Sequence, residues 1–351
     1  MEQEALEKTR RETLAARVPK KEGQAVKAEL KAKCLLDDEF EITTDGESLL
    51  IPVKGPSPYF KTEMALLEFR DRKPRQFHDA LKEKGASNEL IEGISRAFDI
   101  IGTIAVLEPT RHLLLDEEAL VAAALMEMHP NVETVCIKEG IVRTEYRVRP
   151  VKVIAGTNTT KTLHSEFDCS MWVDVAKAYF SPRYAPERWR VAQEVKTGEE
   201  VCVMFAGVGP YALLIARNMP TARVWAVEIN PEAVELLKEN IKLNKAEKIV
   251  VPVLGDVREE LPKLGKKFDR IIMPLPKGAA DFLDIAVEFL KPGGTIHFYQ
   301  FLQEADFFNP AEELVKKAAE RAERNAKIIH SGKCGKVAPG RFRIVVDAII
   351  D

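Results

Sequence analysis

The sequence has 351 residues, of which 46% are apolar and 30% are charged, and this composition is typical of a folded protein with two or three domains. The formal net charge of −3 gives no reason to expect a polyanionic partner, and the five cysteines lack the CxxC spacing of a zinc ribbon. No apolar run approaches the roughly 18 residues of a membrane span, and the charged amino terminus lacks the apolar core of a secretion signal. We therefore expect a cytoplasmic protein that does not enter a membrane.

The first region, residues 1–65, is predicted to form a small α+β domain. Residues 1–33 are rich in charged residues and carry a thin apolar stripe, which indicates a helix. Residues 40–53 are typical of two short strands about Asp45–Gly46, a hairpin turn signal.

The second region, residues 66–192, mixes helical and strand patterns and is predicted to be a further α+β domain. Helices are expected at residues 77–84, 88–98 and 120–129, and strands at residues 100–107, 132–137 and 144–148. Irregular strand signals continue to residue 173.

From residue 193 to the end, strands and helices alternate. Strands are predicted at residues 201–205, 223–227, 250–254, 270–273, 295–301 and 343–349, and helices at residues 211–217, 231–243, 279–290 and 310–325. This alternation predicts an α/β domain with a mostly parallel, doubly wound, Rossmann-like sheet that binds its ligand at the carboxyl ends of the strands. A late helix followed by a last strand that can insert antiparallel suits the class I methyltransferase fold.

Three loops in this last region indicate a site for an adenosine-containing ligand. Gly207 and Gly209 lie between a buried strand and a helix, where the backbone can approach a ligand closely. Glu228 ends the next strand, where a carboxylate can accept hydrogen bonds from ribose hydroxyls. Asp256 follows the third strand and is predicted to contact the adenine amino group, although a helix cap is an equally good interpretation. Further predicted contacts are Phe205, Ile229 and Val257.

NAD and S-adenosylmethionine both fit these contacts, since GVGPYA also matches the G-x-G-x-x-A pattern of dinucleotide-binding proteins. The position of the glycines 200 residues into the chain, the proline-rich loop MPLPK at residues 273–277 and the KPGG turn at residues 291–294 favour S-adenosylmethionine.

Several segments resemble the archaeal and eukaryotic tRNA methyltransferases that modify N1 of guanosine 37. They are RAFDIIGTIAVLE (96–108), EYRVRPVKVIAG (145–156), DVAKAYFSPRYAPERWRVAQ (174–193), FAGVGPYALLIA (205–216), VWAVEINPEAVELLKENIKLN (224–244), GDVRE (255–259), MPLPKGAADFL (273–283) and KPGGTIHFY (291–299). Residues 18–60 resemble the family's amino-terminal domain more weakly, and that resemblance implies a role in reading the outer corner of the tRNA.

The resemblance implies specific roles for four residues in two segments. Glu187 would be the general base that removes the N1 proton, and Arg147 would stabilise negative charge on O6. Tyr179 would lie near cofactor and target, and Arg188 would contact the cofactor. Without the resemblance, Glu187 is an ordinary carboxylate at a helix start and Tyr179 is a packing residue.

The chain departs from the family pattern at two positions. Val203 replaces an acidic residue at the end of the first strand of the sheet, and Pro274 replaces the asparagine of the N-x-P loop. The proline form resembles an archaeal subclass of the wyosine pathway, whose members can also methylate C7 of 4-demethylwyosine. Pro274 is accordingly predicted to orient the target and contact the cofactor.

The charge is distributed unevenly along the chain. Residues 137–190 contain ten basic and six acidic side chains, and residues 1–36 contain nine and six, which favours a basic face for tRNA phosphates. We predict a monomer that uses S-adenosylmethionine and no metal, with phenylalanine tRNA as the favoured partner. Alternatives are a C7-only methyltransferase, an NAD-dependent oxidoreductase and an RNA-binding protein with a vestigial site.

Overall fold

Strands and helices alternate in the last part of the sequence and mix irregularly before it. The structure is a computed structural model that describes residues 10–32, 35–37, 40–55, 60–68, 76–140, 146, 148–303, 306, 308–338 and 340–351. The chain forms two compact units, Met1–Gln76 and Phe77–Asp351. The predicted division into domains at residues 65 and 192 stays a prediction.

The first unit is a four-stranded sheet with one helix. Its elements are β1 (Arg10–Pro19), α1 (Gly23–Ala32), β2 (Thr43–Asp45), β3 (Ser48–Pro52) and β4 (Thr62–Glu68), and the strand order is β2-β3-β1-β4. The hairpin about Asp45–Gly46 is confirmed. The single helix predicted for residues 1–33 is wrong over β1, because this segment pairs on both sides with β3 and β4 and buries Ala15, Ala16 and Val18. Tertiary pairing overrides the helix propensity of its Ala, Arg and Glu residues.

The second unit begins with a sheet of order β5-β6-β7-β8. Its elements are α2 (Phe77–Glu83), α3 (Asn88–Glu92), β5 (Ile94–Ile101), β6 (Ile104–Pro109), α4 (Leu115–Met128), β7 (Thr134–Lys138) and β8 (Val151–Gly156). The predicted helix 88–98 ends early, because Gly93 terminates α3 and β5 follows. The predicted strand 100–107 is a hairpin that turns at Gly102, where φ is +54°. Most of the predicted strand 144–148 lies outside the described residues.

The remainder of the chain forms a two-stranded hairpin and a seven-stranded sheet with helices on both faces. The hairpin consists of β9 (Lys161–Glu166) and β10 (Cys169–Asp174). The large sheet and its helices comprise α5 (Ala185–Glu194), β11 (Glu200–Met204), α6 (Pro210–Asn218), β12 (Arg223–Glu228), α7 (Pro231–Leu243), β13 (Val250–Leu254), α8 (Val257–Leu264), β14 (Phe268–Met273), α9 (Leu283–Glu288), β15 (Leu290–Gln303), α10 (Asn309–Arg321), β16 (Ala326–Ala338) and β17 (Arg341–Ile350). The strand order is β13-β12-β11-β14-β15-β17-β16. Strands β11 to β15 are parallel, and β17 inserts antiparallel beside β15 as predicted.

The sequence analysis missed β16. It pairs antiparallel with β17 through a register that shifts at three places, and its central residues are largely polar or glycine. Such a strand has no regular alternation for a pattern search to find. The predicted fold class, an α/β sheet of the class I methyltransferase type, is confirmed.

The hairpin of β9 and β10 is held to the large sheet by two asparagines of α7. Fully buried Asn240 accepts from the N–H of Trp172 at 2.6 Å and donates to the carbonyl groups of Trp172 and Val208, both at 3.0 Å. One helical turn later, Asn244 makes the same pair of bonds to Ser170. These side chains satisfy backbone groups that β10 would otherwise bury unpaired.

Within the described residues, no helix is long and apolar enough to cross a membrane.

Candidate cofactor and catalytic site

The glycine-rich loop after β11 is open on the side where a ligand would bind. Gly207 and Gly209 have φ values of +57° and +94°, in the left-handed region that favours glycine. A Cβ on Gly209 would clash with Cδ1 of Leu237 in α7, so a larger residue there would require that side chain to shift. A Cβ on Gly207 would meet only the carbonyl oxygen of Tyr179, at 3.7 Å, so the space over Gly207 is free. Phe205 precedes the loop with φ of +57° and packs edge-on against Phe282.

Glu228 lies at the end of β12 and faces this loop. Oε2 accepts from the N–H of Gly207 at 2.7 Å, and Oε1 accepts from the N–H of Asn230 at 2.9 Å. Burial raises the pKa of the Glu228 carboxyl, while these backbone donors and that of Ile229 oppose the rise. A carboxylate has about four acceptor positions, so the backbone donors leave acceptor capacity for a ribose. The predicted residues Gly207, Gly209, Glu228 and Ile229 are therefore brought together as an adenosine site requires.

Asp256 is the N-cap of α8. Its Oδ1 accepts from the N–H of Arg258 at 2.8 Å, and the Arg258 guanidinium binds the same carboxylate. The hydrogen bond from that side chain lowers the pKa of Asp256. Val257, the first residue of α8, has its side chain in the core. The cap interpretation of Asp256 is thus realised in the structure, and its contact with adenine stays a prediction.

Glu187, in the first turn of α5, is buried and accepts hydrogen bonds through both carboxylate oxygens. Its Oε1 accepts from the hydroxyl of Tyr299 at 2.7 Å and from Nη2 of Arg190 at 2.8 Å, and its Oε2 accepts from Nε of Arg190 at 2.9 Å. Burial raises the pKa of Tyr299 well above its usual value, so this hydroxyl remains a donor. Tyr211 donates in turn to Tyr299 at 3.1 Å.

Arg190 connects Glu187 to a second buried carboxylate. Its Nη1 donates to Oδ2 of Asp347 at 2.8 Å and also to Glu194. Oδ1 of Asp347 lies 2.7 Å from Nδ1 of His297, and the other ring nitrogen of that histidine lies 2.7 Å from Nη1 of Arg270. Burial opposes ionisation of Asp347, but His297 and Arg190 outweigh it and lower the pKa of the Asp347 carboxyl to about 2. The cluster of Glu194, His297 and Asp347 is therefore occupied by arginines.

Sequence reasoning missed the residues that surround Glu187. Tyr299 and Asp347 are 112 and 157 residues away in the chain from the groups they bind, so no local spacing links them. The alternation of β15 and β17 indicated burial but not which polar side chains meet.

Tyr179 and Arg183 flank the site on the segment that leads into α5. The Tyr179 side chain is 59% exposed, so its ring is available for stacking, and its backbone lies over Gly207. Nε of Arg183 donates to Asp99 of β5 at 2.6 Å. This ion pair ties the segment to the preceding sheet.

Arg188 is held by a buried acidic partner. Its guanidinium is buried, with Nε and Nη2 donating to Glu166 at 2.7 and 2.6 Å, and it also donates to the carbonyl of Ser181. These contacts join α5 to β9. The predicted contact of Arg188 with the cofactor stays a prediction.

The loop MPLPK follows β14, at the carboxyl edge of the sheet. Its backbone is fixed by hydrogen bonds from Leu275 to Met273 at 2.7 Å and from Phe301 to Pro276 at 3.1 Å. Half-buried Pro274 offers neither a side-chain donor nor an acceptor there. Val203 is completely buried in β11. Arg147 lies outside the described residues.

The basic excess of residues 137–190 is balanced within the structure. Of the eight described basic residues in this segment, seven form ion pairs: Arg149, Lys152, Lys161, Lys177, Arg183, Arg188 and Arg190. Seven of the acidic partners lie outside the segment: Glu108, Glu118, Glu239, Glu232, Asp99, Glu194 and Asp347. The charge count therefore does not by itself establish a basic face. Exposed pairs such as Lys177–Glu232 are weak, however, and phosphates can replace the carboxylates at little cost.

Three family models match consecutive parts of the chain. Residues 15–61 match the tRNA methyltransferase 5 N-terminal domain, residues 77–159 match the TYW2 N-terminal domain, and residues 162–329 match the TRM5/TYW2 methyltransferase domain.

Relatives of the chain have names that describe modification of position 37 in tRNA. The tRNA (guanine(37)-N(1))-methyltransferase Trm5b of Pyrococcus abyssi is 39% identical over 95% of this chain and 98% of its own length. The tRNA (guanine(37)-N(1))/4-demethylwyosine(37)-methyltransferase Taw22 of Nanoarchaeum equitans is 27% identical over 65% of this chain and 91% of its own. A tRNA(Phe) (4-demethylwyosine(37)-C(7)) aminocarboxypropyltransferase of Methanocaldococcus jannaschii is 37% identical over 58% and 80%.

Solved structures agree with this grouping. A complex of aTrm5 with tRNALeu has a TM-score of 0.69 and 32% identity, covering 96% of this chain and 100% of that chain. Methanocaldococcus jannaschii TYW2 in complex with AdoMet has a TM-score of 0.56 and 30% identity, covering 73% and 99%. Extensive identity over nearly full length, together with the glycine loop and the Glu187 site, leads to one conclusion: the chain belongs to the TRM5/TYW2 methyltransferase family.

Proposed function

We propose that this protein is an S-adenosylmethionine-dependent tRNA methyltransferase that acts on N1 of guanosine 37. The observation that carries the proposal is the proximity of two parts of the site. The carbonyl oxygen of Tyr179 lies 3.7 Å from the position that a Cβ on Gly207 of the cofactor loop would take, and the same segment continues within eight residues to the buried carboxylate of Glu187. A methyl donor and a general base thus have places on neighbouring elements.

The residues present fit S-adenosylmethionine. Glu228 has free acceptor positions for ribose hydroxyls, and Gly207 leaves its backbone accessible. When bound, this cofactor supplies an electrophilic methyl group that is transferred as its carbon–sulfur bond breaks. The same contacts would suit the ribose of NAD, but the relatives are named as methyltransferases and one of them is solved with AdoMet, which favours S-adenosylmethionine.

Glu187 is proposed to accept the N1 proton as the nitrogen–methyl bond forms. In the structure its negative charge is balanced by Arg190, and Oε2 accepts a single hydrogen bond from the described residues, so this oxygen has room for another donor. Once Glu187 is protonated, Arg190 keeps Asp347 and Glu194 as partners. Because Arg190 is shared among these carboxylates, protonation of Glu187 does not leave the charge of Arg190 buried without a partner.

A second activity, methyl transfer to C7 of 4-demethylwyosine, is favoured by Pro274 and by the relative that combines both activities. Proline in place of an amide removes hydrogen-bonding groups suited to an N–H edge, while a carbon nucleophile needs none. We also propose phenylalanine tRNA as the preferred substrate, and a cytoplasmic monomer. The protein is proposed to use no metal, since the described histidine–carboxylate cluster is filled by arginines.

The function is tested with unmodified phenylalanine tRNA and, separately, the same tRNA carrying 4-demethylwyosine. Each is incubated with the cofactor, and the nucleosides are identified by mass spectrometry. We expect N1-methylguanosine from the first and a C7-methyl product from the second. A transcript with adenosine at position 37 is the matched control and should remain unmodified. An aminocarboxypropyl product instead of a methyl product would overturn the proposal.

A further inference from the structure

Arg343 of β17 is a buried cation without a carboxylate partner among the described residues. Its side chain is 3% exposed, and its guanidinium carbon lies 3.9 Å from the ring centre of Tyr184 and 4.5 Å from that of Tyr299. Nε is buried and hydrogen bonds to none of the described residues. The other buried arginines differ, since Arg188 binds Glu166 and Arg270 binds Glu199.

A charge in such a position has a large unfavourable desolvation energy. Removing an arginine from water is unfavourable unless an anion and hydrogen bonds compensate, and contact with two aromatic rings compensates only in part. Burial opposes the charge of Arg343 by lowering its pKa, but an arginine guanidinium stays protonated in a protein. The fold therefore keeps a positive charge that no described acidic side chain neutralises.

The location of this charge is one side chain away from the proposed general base. Tyr299 has Arg343 on its ring and donates its hydroxyl to Glu187. Tyr184, on the other ring contact, lies three residues before Glu187 on the segment that also carries Tyr179. Arg343 thus packs against both elements that position the base.

We propose that Arg343 belongs to the methyl-transfer site, where its guanidinium stabilises an anionic oxygen of the target nucleotide. The inference rests on the proposed function. Two oxygens have the required chemistry: O6 of guanine, which becomes negative as N1 loses its proton, and the phosphate of the same nucleotide. Charge on O6 exists only during the reaction, whereas the phosphate is charged throughout.

The test compares Arg343→Gln and Arg343→Lys with the wild-type protein in single-turnover methylation of phenylalanine tRNA. Arg321→Gln is the control, since it removes an exposed arginine of α10 that pairs with Asp284 of α9. We expect Arg343→Gln to lower the rate roughly 100-fold, as is usual for loss of one group that stabilises a developing oxyanion, and Arg343→Lys to recover part of it. Arg321→Gln should retain the wild-type rate.

The effects of the Arg343 variants on the methylation rate and on the tRNA dissociation constant distinguish O6 from the phosphate as the anion. Stabilisation of O6 lowers the maximal single-turnover rate and leaves the tRNA dissociation constant within about threefold, whereas a phosphate contact weakens tRNA binding by a larger factor than it slows transfer. Either result supports a place for Arg343 in the site.

Stability is controlled with a second variant. Arg343→Ala is assayed with added guanidinium chloride, and sodium chloride and urea at the same concentration serve as controls for ionic strength and denaturation. Recovery of the rate by guanidinium alone supports the proposal even if the variant has a lower melting temperature. An Arg343→Gln protein that binds cofactor, melts like wild type and keeps both its maximal methylation rate and its tRNA dissociation constant within threefold of the wild-type values would overturn it. Failure of the wild-type protein to methylate would instead count against the proposed function.

Discussion

The hydroxyl of Tyr299 donates a 2.7 Å hydrogen bond to Oε1 of Glu187, across 112 residues of sequence. Strand β15 supplies the donor and helix α5 supplies the acceptor, and Arg190 holds the other side of the carboxylate. The bond orients one carboxylate of a buried site relative to the large sheet. Its consequences for the proposed reaction are open to direct measurement.

Replacement of Glu187 by Gln should lower N1 methylation by roughly 100-fold or more, because the amide does not accept the proton of the target nitrogen. Binding of S-adenosylhomocysteine, measured by calorimetry, should be nearly unchanged. Glu235→Gln, which alters an exposed carboxylate paired with Lys238, is the control. Normal turnover of the Glu187 variant would exclude this residue as the base.

Replacement of Tyr299 by Phe should slow methyl transfer about tenfold, since loss of one hydrogen bond to a charged group costs about 1.5 kcal/mol or more. Tyr211→Phe removes a hydroxyl that donates to Tyr299 and does not touch Glu187. This variant should lose similar stability in thermal unfolding with a much smaller effect on rate. Equal rate losses in both variants would show that the effect is one of packing.

Replacement of Glu228 by Ala should weaken cofactor binding at least tenfold, because its acceptors for the ribose hydroxyls are lost. Asp256→Asn is an informative companion, since asparagine caps a helix as well as aspartate does. Unchanged affinity in the asparagine variant, measured by equilibrium dialysis, would agree with a purely capping role for Asp256. Unchanged affinity in Glu228→Ala would place the ribose elsewhere.

The buried Asp347 should make the protein sensitive to acid. Its pKa in the folded state is about 2, below the ordinary value of 3.8, so the unfolded chain binds its proton first as pH falls. The stabilisation is complete above about pH 4 and is lost between about pH 4 and 2, and it amounts to on the order of 2 kcal/mol. Urea unfolding at a series of pH values should show a smaller acid dependence for Asp347→Asn. An identical dependence in both proteins would contradict the assignment.

The cofactor loops were predictable from the sequence because each is a local pattern. Gly207 and Gly209 follow a buried strand and precede a helix, and Glu228 ends the next strand, so parallel topology alone brings them together. Pro231–Leu243 was predicted to its last residue, because Asn230 and Pro231 give a clear helix start.

The surroundings of Glu187 were not predictable in the same way. Arg190 reads as a surface residue of a charged helix, and nothing near it in sequence indicates Asp347. Strand β1 was predicted as helix, because Ala, Arg and Glu favour a helix when their pairing with β3 and β4 is unknown. In both cases the structure depends on contacts between residues far apart in the chain, and the local pattern of a single sequence does not predict such contacts.

The buried amide of Asn240 joins the carbonyl of Val208, between the two glycines of the cofactor loop, to the backbone of Trp172 in β10. Strand β10 leads directly into the segment of Tyr179 and Glu187. The side-chain NH₂ group of Asn240 therefore contacts both the cofactor loop and the strand that leads to Glu187, and the chemical shifts of its two protons should respond to changes in either. Isotope labelling of asparagine would let cofactor binding and tRNA binding be followed through the same pair of NMR signals.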